Sequence, residues 1–297
     1  MLAAALLGVL AVLLAWPVPL LLAGARWTRR SPAAALVLWQ AIAIAGGLSM
    51  IGALITFGLA PYGDHLVAGV LGLVDGHGVP DFWHVLALCG AVLLTAHLLL
   101  NLVLTIIRSE RQRRRHAQLL MLLSTPAADG SRVIDSPAPV AYCLPGALSS
   151  VTVVSAGLIE LLDEREMLAV IEHEKAHVLQ RHDIVLVLFR AWATSLPWFP
   201  IAGSAQHEVG LLVELLADDH ARRSVDDATL ADTIAKVGAG HGASGAFATR
   251  LARLGPDARP LSRGREALAV AAAVALLAVP PALLFAPALA DLVNRLA

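Results

Sequence analysis

Apolar residues gather in four long runs free of Asp, Glu, Lys and Arg, at positions 1–25, 31–63, 82–107 and 267–290. A helix crosses a bilayer in about 20 apolar residues, so each run predicts a transmembrane helix. Between the third and fourth lies a polar block of about 160 residues, an ordinary domain size. Within that block the run 184–200 is apolar but holds Arg190, Pro197 and Pro200, and it predicts a buried or membrane-skimming helix. Two short stretches, Arg132-Val133-Ile134 and Val151-Thr152-Val153-Val154, have strand composition, and Pro137, Pro139, Pro145 and Gly146 punctuate the chain between them. A small sheet with an edge strand follows from that pattern. Asp163, with Glu166 three residues on, is a helix-start signature, and a helix is expected to about Arg181. A second helical pattern covers 208–220. The expected fold class is therefore an α-helical membrane protein of four transmembrane helices, with an α+β domain inserted between the third and fourth.

Composition agrees with this pattern. Hydrophobic residues make up 58% and charged residues 15% of the 297 positions, with mean hydropathy +0.72, against about 45–50% and about 25% in soluble domains. This excludes a disordered chain, a basic nucleic-acid binder and an ordinary cytosolic enzyme. Net charge of −1 names no partner. Cys89 and Cys143 are too few for a disulfide framework and are expected to be free thiols.

Orientation follows from arginine. The first loop holds Arg26, Arg29 and Arg30, whereas 61–81 holds Asp64, Asp75 and Asp81 and no basic residue. Arg108, Arg111, Arg113, Arg114 and Arg115 follow the third run, and Arg250, Arg253, Arg259, Arg263 and Arg265 precede the fourth. The positive-inside bias then puts the N-terminus, the 61–81 loop and the tail 291–297 outside, and the polar block in the cytosol. Ala23-Gly24-Ala25 has the look of a signal-peptide cleavage site, but Met1-Leu2-Ala3 lacks the positive n-region, so an anchor is expected. The domains expected are 1–107, three transmembrane helices with short loops; 108–266, a cytosolic domain; and 267–297, the fourth helix and a short outer tail.

The chemistry lies in His173-Glu174-Lys175-Ala176-His177. Residues four apart on a helix sit about 40° apart around its axis, so both imidazoles face one point. Two His nitrogens are half of a tetrahedral zinc site, and Glu174 adjoins the first His as a base that need not be a ligand. A third ligand is required. Glu214 is an acid set among Leu and Val, where an unpaired carboxylate needs a cation. Asp218, one turn further on the same face, suits the outer-shell role of accepting the second N–H of a liganding His. His182 and Asp183 fall about 140° and 240° round the helix from His177, so neither is expected to be a ligand.

His-Glu-x-x-His followed by Glu214-Leu-Leu-Ala-Asp218 resembles the gluzincin pattern. It is similar both to membrane proteases of the CAAX-prenyl-protease/HtpX type and to BlaR/MecR-type antirepressor metalloproteases. The layout of three spans, a cytosolic zinc domain and one more span resembles the second. So do Ser136-Pro-Ala-Pro-Val-Ala-Tyr-Cys-Leu-Pro-Gly146, Val153-Val154-Ser155-Ala156-Gly157-Leu158 and Arg250-Leu-Ala-Arg-Leu254, which look like that family's actinobacterial members. The resemblance implies a gluzincin-like zinc endopeptidase with one Zn²⁺ per chain, held by His173, His177 and Glu214, with Glu174 as catalytic base and Asp218 behind the ligands. It implies a multi-pass protein of the bacterial cytoplasmic membrane. Its substrate would be a cytosolic protein, a BlaI/MecI-like transcriptional repressor, with no direct nucleic-acid binding; a homo-oligomer stays open. Only 291–297 follows the fourth run here, whereas the family's antibiotic sensors carry a penicillin-binding domain there. An extended substrate is expected to pair with the sheet's edge, with Val151, Thr152, Val153, Val154 and Ser155 as the candidate strand and a plain core strand as the alternative. Two rival functions are a housekeeping membrane quality-control protease and a non-enzymatic receptor retaining a zinc fold.

The remaining histidines have plainer expectations. His97 and Asn101, one turn apart in the third run, suit hydrogen bonds to a neighbouring helix. His65 and His77 belong to the outer loop. His207, His220 and His241 are candidates for a transition-state hydrogen bond that spacing alone cannot place.

Overall fold

The computed structural model describes residues 1–127, 130–144, 151–197, 200–238, 245–255 and 261–296. Four stretches among them are helices long and apolar enough to cross a membrane: Leu2–Ala23, Pro32–Gly58, Phe82–Leu123 and Arg263–Asn294. They coincide with the four apolar runs. The first consists of α1 (Leu2–Ala15) and α2 (Pro17–Ala23). The break falls at Pro17, which has no N–H to give to a continuing helix and instead occupies the first position of a new one. α3 (Pro32–Gly58) is the central span, packed by the other three. Small residues allow that closeness: a Cβ on Gly58 would lie 2.6 Å from Leu88 Cγ, and one on Gly47 3.1 Å from Trp192.

Outward faces of the spans are apolar. Val92 and Leu93 are 68% and 69% exposed, as suits a surface solvated by lipid rather than water.

Three features depart from the simplest reading of the pattern. The loop 61–81 contains a short apolar helix, α4 (Leu66–Val74), capped by the His65 side chain and packed on the last helix. The third run is only the first part of α5 (Phe82–Leu123), 42 residues long, which carries Arg108–Arg115 on an unbroken helix and leads into the sheet. The last helix, α12 (Arg263–Leu296), continues through Pro280, Pro281 and Pro287, so these prolines do not end it.

Loops alternate between the two ends of the bundle. At one end Ser31 Oγ donates to Glu266 Oε1 at 2.7 Å, joining the first loop to the start of α12. At the other, His65 Nε2 meets Asp291 Oδ2 at 3.0 Å.

The polar block opens with a four-stranded sheet of β1 (Ser124–Pro126), β2 (Arg132–Ile134), β3 (Ala141–Leu144) and β4 (Val151–Ser155), in the order β1-β2-β4-β3. This corrects the expectation that Val151, Thr152, Val153, Val154 and Ser155 form an edge. β4 runs parallel to β2, with Val154 opposite Val133, and antiparallel to β3, with Val153 opposite Tyr142. Both backbone edges of β4 are therefore engaged, and Val153, Val154 and Ser155 are buried. It is the core strand; among the described residues the edges are β1 and β3. Pro145 and Gly146 lie outside the described residues.

Six helices follow: α6 (Ala156–Leu161), α7 (Glu164–Leu179), α8 (His182–Ser195), α9 (Pro200–Ala221), α10 (Asp227–Gly238) and α11 (Gly245–Leu254). α8 is the apolar helix anticipated at 184–200. It lies against α5, where Asn101 Nδ2 donates to Ala191 O at 2.7 Å and to Thr194 Oγ1 at 3.0 Å, and His97 Nε2 donates to Ser195 O at 3.2 Å. α9 is buried in one core with the spans: Val209, Leu212 and Leu215 pack with Leu36, Trp39 and Ile42 of α3 and Phe189 of α8.

Candidate metal centre

Two helices build the site. α7 starts at a capping box in which Asp163 Oδ1 accepts from the Arg165 and Glu166 N–H groups, each at 2.9 Å, and Glu166 Oε2 accepts from the Asp163 N–H at 3.0 Å. Glu166 is itself buried and takes a hydrogen bond from Lys236 Nζ on α10. The register of α7 is thus fixed from its first turn, which directs His173 and His177 toward α9. There they meet Glu214.

His173 Nε2 lies 3.3 Å from His177 Nε2 and 3.4 Å from Glu214 Oε2, and His177 Nε2 lies 3.6 Å from Glu214 Oε1. A tetrahedral zinc with bonds of about 2.0–2.1 Å sets its donors about 3.3 Å apart. Two imidazole nitrogens and a carboxylate at these separations are the face of such a tetrahedron, and the donor set is one zinc accepts. The residues present fit the ion.

The next layer fixes the rings. Asp218, 1% exposed, lies with Oδ1 3.0 Å from His173 Nδ1 and accepts a hydrogen bond from its N–H. That leaves Nε2 of His173 as the free donor, the tautomer a metal ligand needs. Asp218 also accepts a two-pronged grip from Arg250 on α11, through Nε at 2.8 Å and Nη2 at 2.7 Å, and Arg250 Nη1 reaches Glu214 Oε2 at 3.4 Å. Arg253, one turn on, holds Asp219 in the same way.

Burial opposes protonation of His173, yet Asp218 and Glu214 outweigh it and push its pKa up to about 9. His177 is driven the other way, to about 4, by burial and then by the charge on His173. The protein's own groups thus draw one positive charge onto the donor cluster. A divalent cation there would supply that charge and keep both rings neutral. Burial raises the Glu174 carboxyl above its usual range, the direction that makes a carboxylate a better proton acceptor. Burial also lowers the pKa of His182.

Glu174 lines a cleft of about 390 Å³ together with His173, Glu214 and Arg250, and with apolar residues that include Val170, Leu230 and Ile234. A polypeptide carbonyl and a water can share such a space with the donor cluster.

The Peptidase family M48 model matches residues 107–282, from inside α5 to inside α12. The chain belongs to peptidase family M48. No curated protein and no solved structure matches it. The M48 match contains every element of the polar block and the whole donor cluster, and the family is zinc-dependent. A metallopeptidase activity follows from that membership.

The structure of this M48 chain brings together all five candidates from the sequence: His173, Glu174, His177, Glu214 and Asp218. Three participants were missed. Arg250 figured among the basic residues before the last apolar run and in the Arg250-Leu-Ala-Arg-Leu254 resemblance, without a role at the site; the available signal was the adjacent acids Asp218-Asp219, which demand cations, set against two arginines one helical turn apart. His182 was considered only as a ligand and set aside on helical spacing from His177, and Gln180 was passed over. Of the other histidines, His220 pairs with Glu172 at 3.5 Å and is not among the residues lining the cleft, and His241 lies outside the described residues.

Proposed function

We propose that this M48 metallopeptidase is a zinc endopeptidase of the bacterial cytoplasmic membrane, crossing it four times, which cuts a cytosolic protein at a site held just below the bilayer. The observation that carries the reading is the tetrahedral spacing of His173, His177 and Glu214 beside a Glu174 carboxyl that lines the same cleft. Zinc supplies Lewis acidity toward a water and the scissile carbonyl. The chain's own residues do the rest. Glu174 takes a proton from the attacking water as its oxygen bonds the carbonyl carbon. When the C–N bond breaks, Glu174 returns that proton to the departing amine nitrogen. Asp218 holds His173 in place, and Arg250 keeps Asp218 and Glu214 anionic and aligned.

An extended substrate has a backbone partner in β3, an edge strand packed along α7. The orientation rests on the arginine asymmetry, and the layout supports a BlaI/MecI-like repressor as substrate. A membrane quality-control role is the alternative the family membership leaves equally served. Comparing protein turnover in cells carrying wild type or Glu174→Gln separates them. Accumulation of one DNA-binding repressor in the variant supports the first reading. Accumulation of many misfolded membrane proteins supports the second, and no change in any protein sinks both.

A further inference from the structure

Among the described residues, no carboxylate accepts from the outer nitrogen of the second histidine of the cluster. Its outer nitrogen faces another imidazole. His182 Nδ1 lies 3.1 Å from His177 Nδ1, and His182 Nε2 lies 3.0 Å from Gln180 Oε1. His182 is 2% exposed, and the two rings meet edge to face with centroids 4.9 Å apart.

Backbone geometry makes this contact. On a continuous α7, His182 would point about 140° away from His177. Arg181 instead adopts the left-handed conformation, φ 49° and ψ 44°, the only non-glycine at positive φ among the described residues. Such a conformation is strained for a residue with a Cβ and persists only where the surroundings hold it. Here it ends α7, starts α8 and folds His182 back over the last turn.

The hydrogen bonds then have one consistent assignment. The Gln180 carbonyl oxygen can only accept, so His182 Nε2–H donates to it. A neutral His182 must then present Nδ1 as an acceptor, and His177 Nδ1–H donates to that. The proton of His177 is placed on Nδ1, and Nε2, facing His173 and Glu214, is left with its lone pair. We infer that the Gln180–His182 pair is a positioning relay that fixes the tautomer and ring orientation of His177 for metal binding, as Asp218 does for His173. The inference rests on the metal-centre reading above. His182 touches neither substrate nor the donor face; it acts through His177.

The test is zinc affinity of the purified full-length protein in detergent, measured by chelator competition, with His177→Ala as the control that must lose metal. His182→Phe removes the acceptor, and affinity should fall about 10–100-fold, as for other outer-shell partners. His182→Asn, whose Oδ1 falls near the position of Nδ1, should recover most of that loss, which a merely structural role would not predict. Gln180→Leu should weaken zinc in the same direction, and Gln180→Glu, still an acceptor, should not. Nitrogen NMR of the His177 ring should find the proton on Nδ1 in wild type and shared between both nitrogens in His182→Phe. Wild-type affinity in His182→Phe, or equal losses in Phe and Asn variants, overturns the relay. If His182→Phe fails to fold, unchanged affinity in Gln180→Leu overturns it equally. A wild-type chain that binds no zinc overturns the metal centre itself, and the relay with it.

Discussion

At the scale of single residues, the donor cluster separates holding a metal from moving a proton. His173→Ala, His177→Ala and Glu214→Ala each remove one of three donors and should each abolish stoichiometric zinc, read by metal analysis of the purified chain. Glu174→Gln should retain zinc and lose peptide hydrolysis, because the amide cannot accept the water's proton. Asp218→Ala should cost about 10–100-fold in affinity or activity. Full zinc retention by Glu214→Ala would refute its place as third donor. The arginines differ sharply from one another. Arg250 grips an Asp218 that is 1% exposed, so Arg250→Met strands a buried carboxylate and should lower stability by about 3 kcal/mol. Arg222 makes an equally short pair with Asp227, but a half-exposed one, and Arg222→Ala should cost less than about 1 kcal/mol. Thermal unfolding of the two variants side by side checks the contrast; similar losses would mean that the Arg250 pair is solvated.

At the scale of elements, the helices of the site take their positions from the spans as well as from one another. α9 carries Glu214 and Asp218, yet Val209, Leu212 and Leu215 of the same helix are buried against α3. α8 follows α7 after two residues and is held to α5 by Asn101 and His97. On the proposed membrane placement these polar groups have no water to turn to, and hydrogen bonds between helices there are worth about 0.6–1.7 kcal/mol. Asn101→Leu should therefore lower the unfolding free energy in detergent by about 1 kcal/mol while leaving zinc content at one per chain. A loss of zinc in this variant would show that α5 also sets the geometry of the centre. α11 plays a similar part from the other side, joined to α9 through Arg250 and Arg253. Those two arginines are committed to Asp218 and Asp219, so the orientation signal before the last span falls to its remaining basic residues.

For the whole molecule, the two ends of the bundle are set by the pairs Ser31–Glu266 and His65–Asp291. On the proposed orientation, argued from the arginine asymmetry, the first end faces the cytosol. A cysteine placed at Val79, 91% exposed in the loop between α4 and α5, should react with an impermeant thiol reagent on intact cells. One placed at Arg165, exposed at the start of α7, should react only after lysis. The opposite pattern would overturn both the orientation and the idea of a cytosolic substrate.

Periodicity and charge are local properties, and they alone determined much of this protein. Four uncharged runs of span length had to become helices, since a chain in lipid must satisfy its own backbone. The capping box at Asp163 started α7 where it stands, and four-residue spacing put His173 and His177 on one face. Even Glu214 was legible, as an acid with no local reason to sit among leucines. What only the tertiary structure decided depended on contacts between elements distant in sequence. That β4 is interior follows from β3 and β2 closing on it from either side, which no single strand's composition specifies. Arg250 meets Asp218 across 32 positions. His182 reaches His177 because one residue, Arg181, takes a backbone conformation that helical spacing assumes away. The sequence named the donors; the fold chose the partners that hold them still, because a hydrogen bond is made in space and its two ends need share no pattern along the chain.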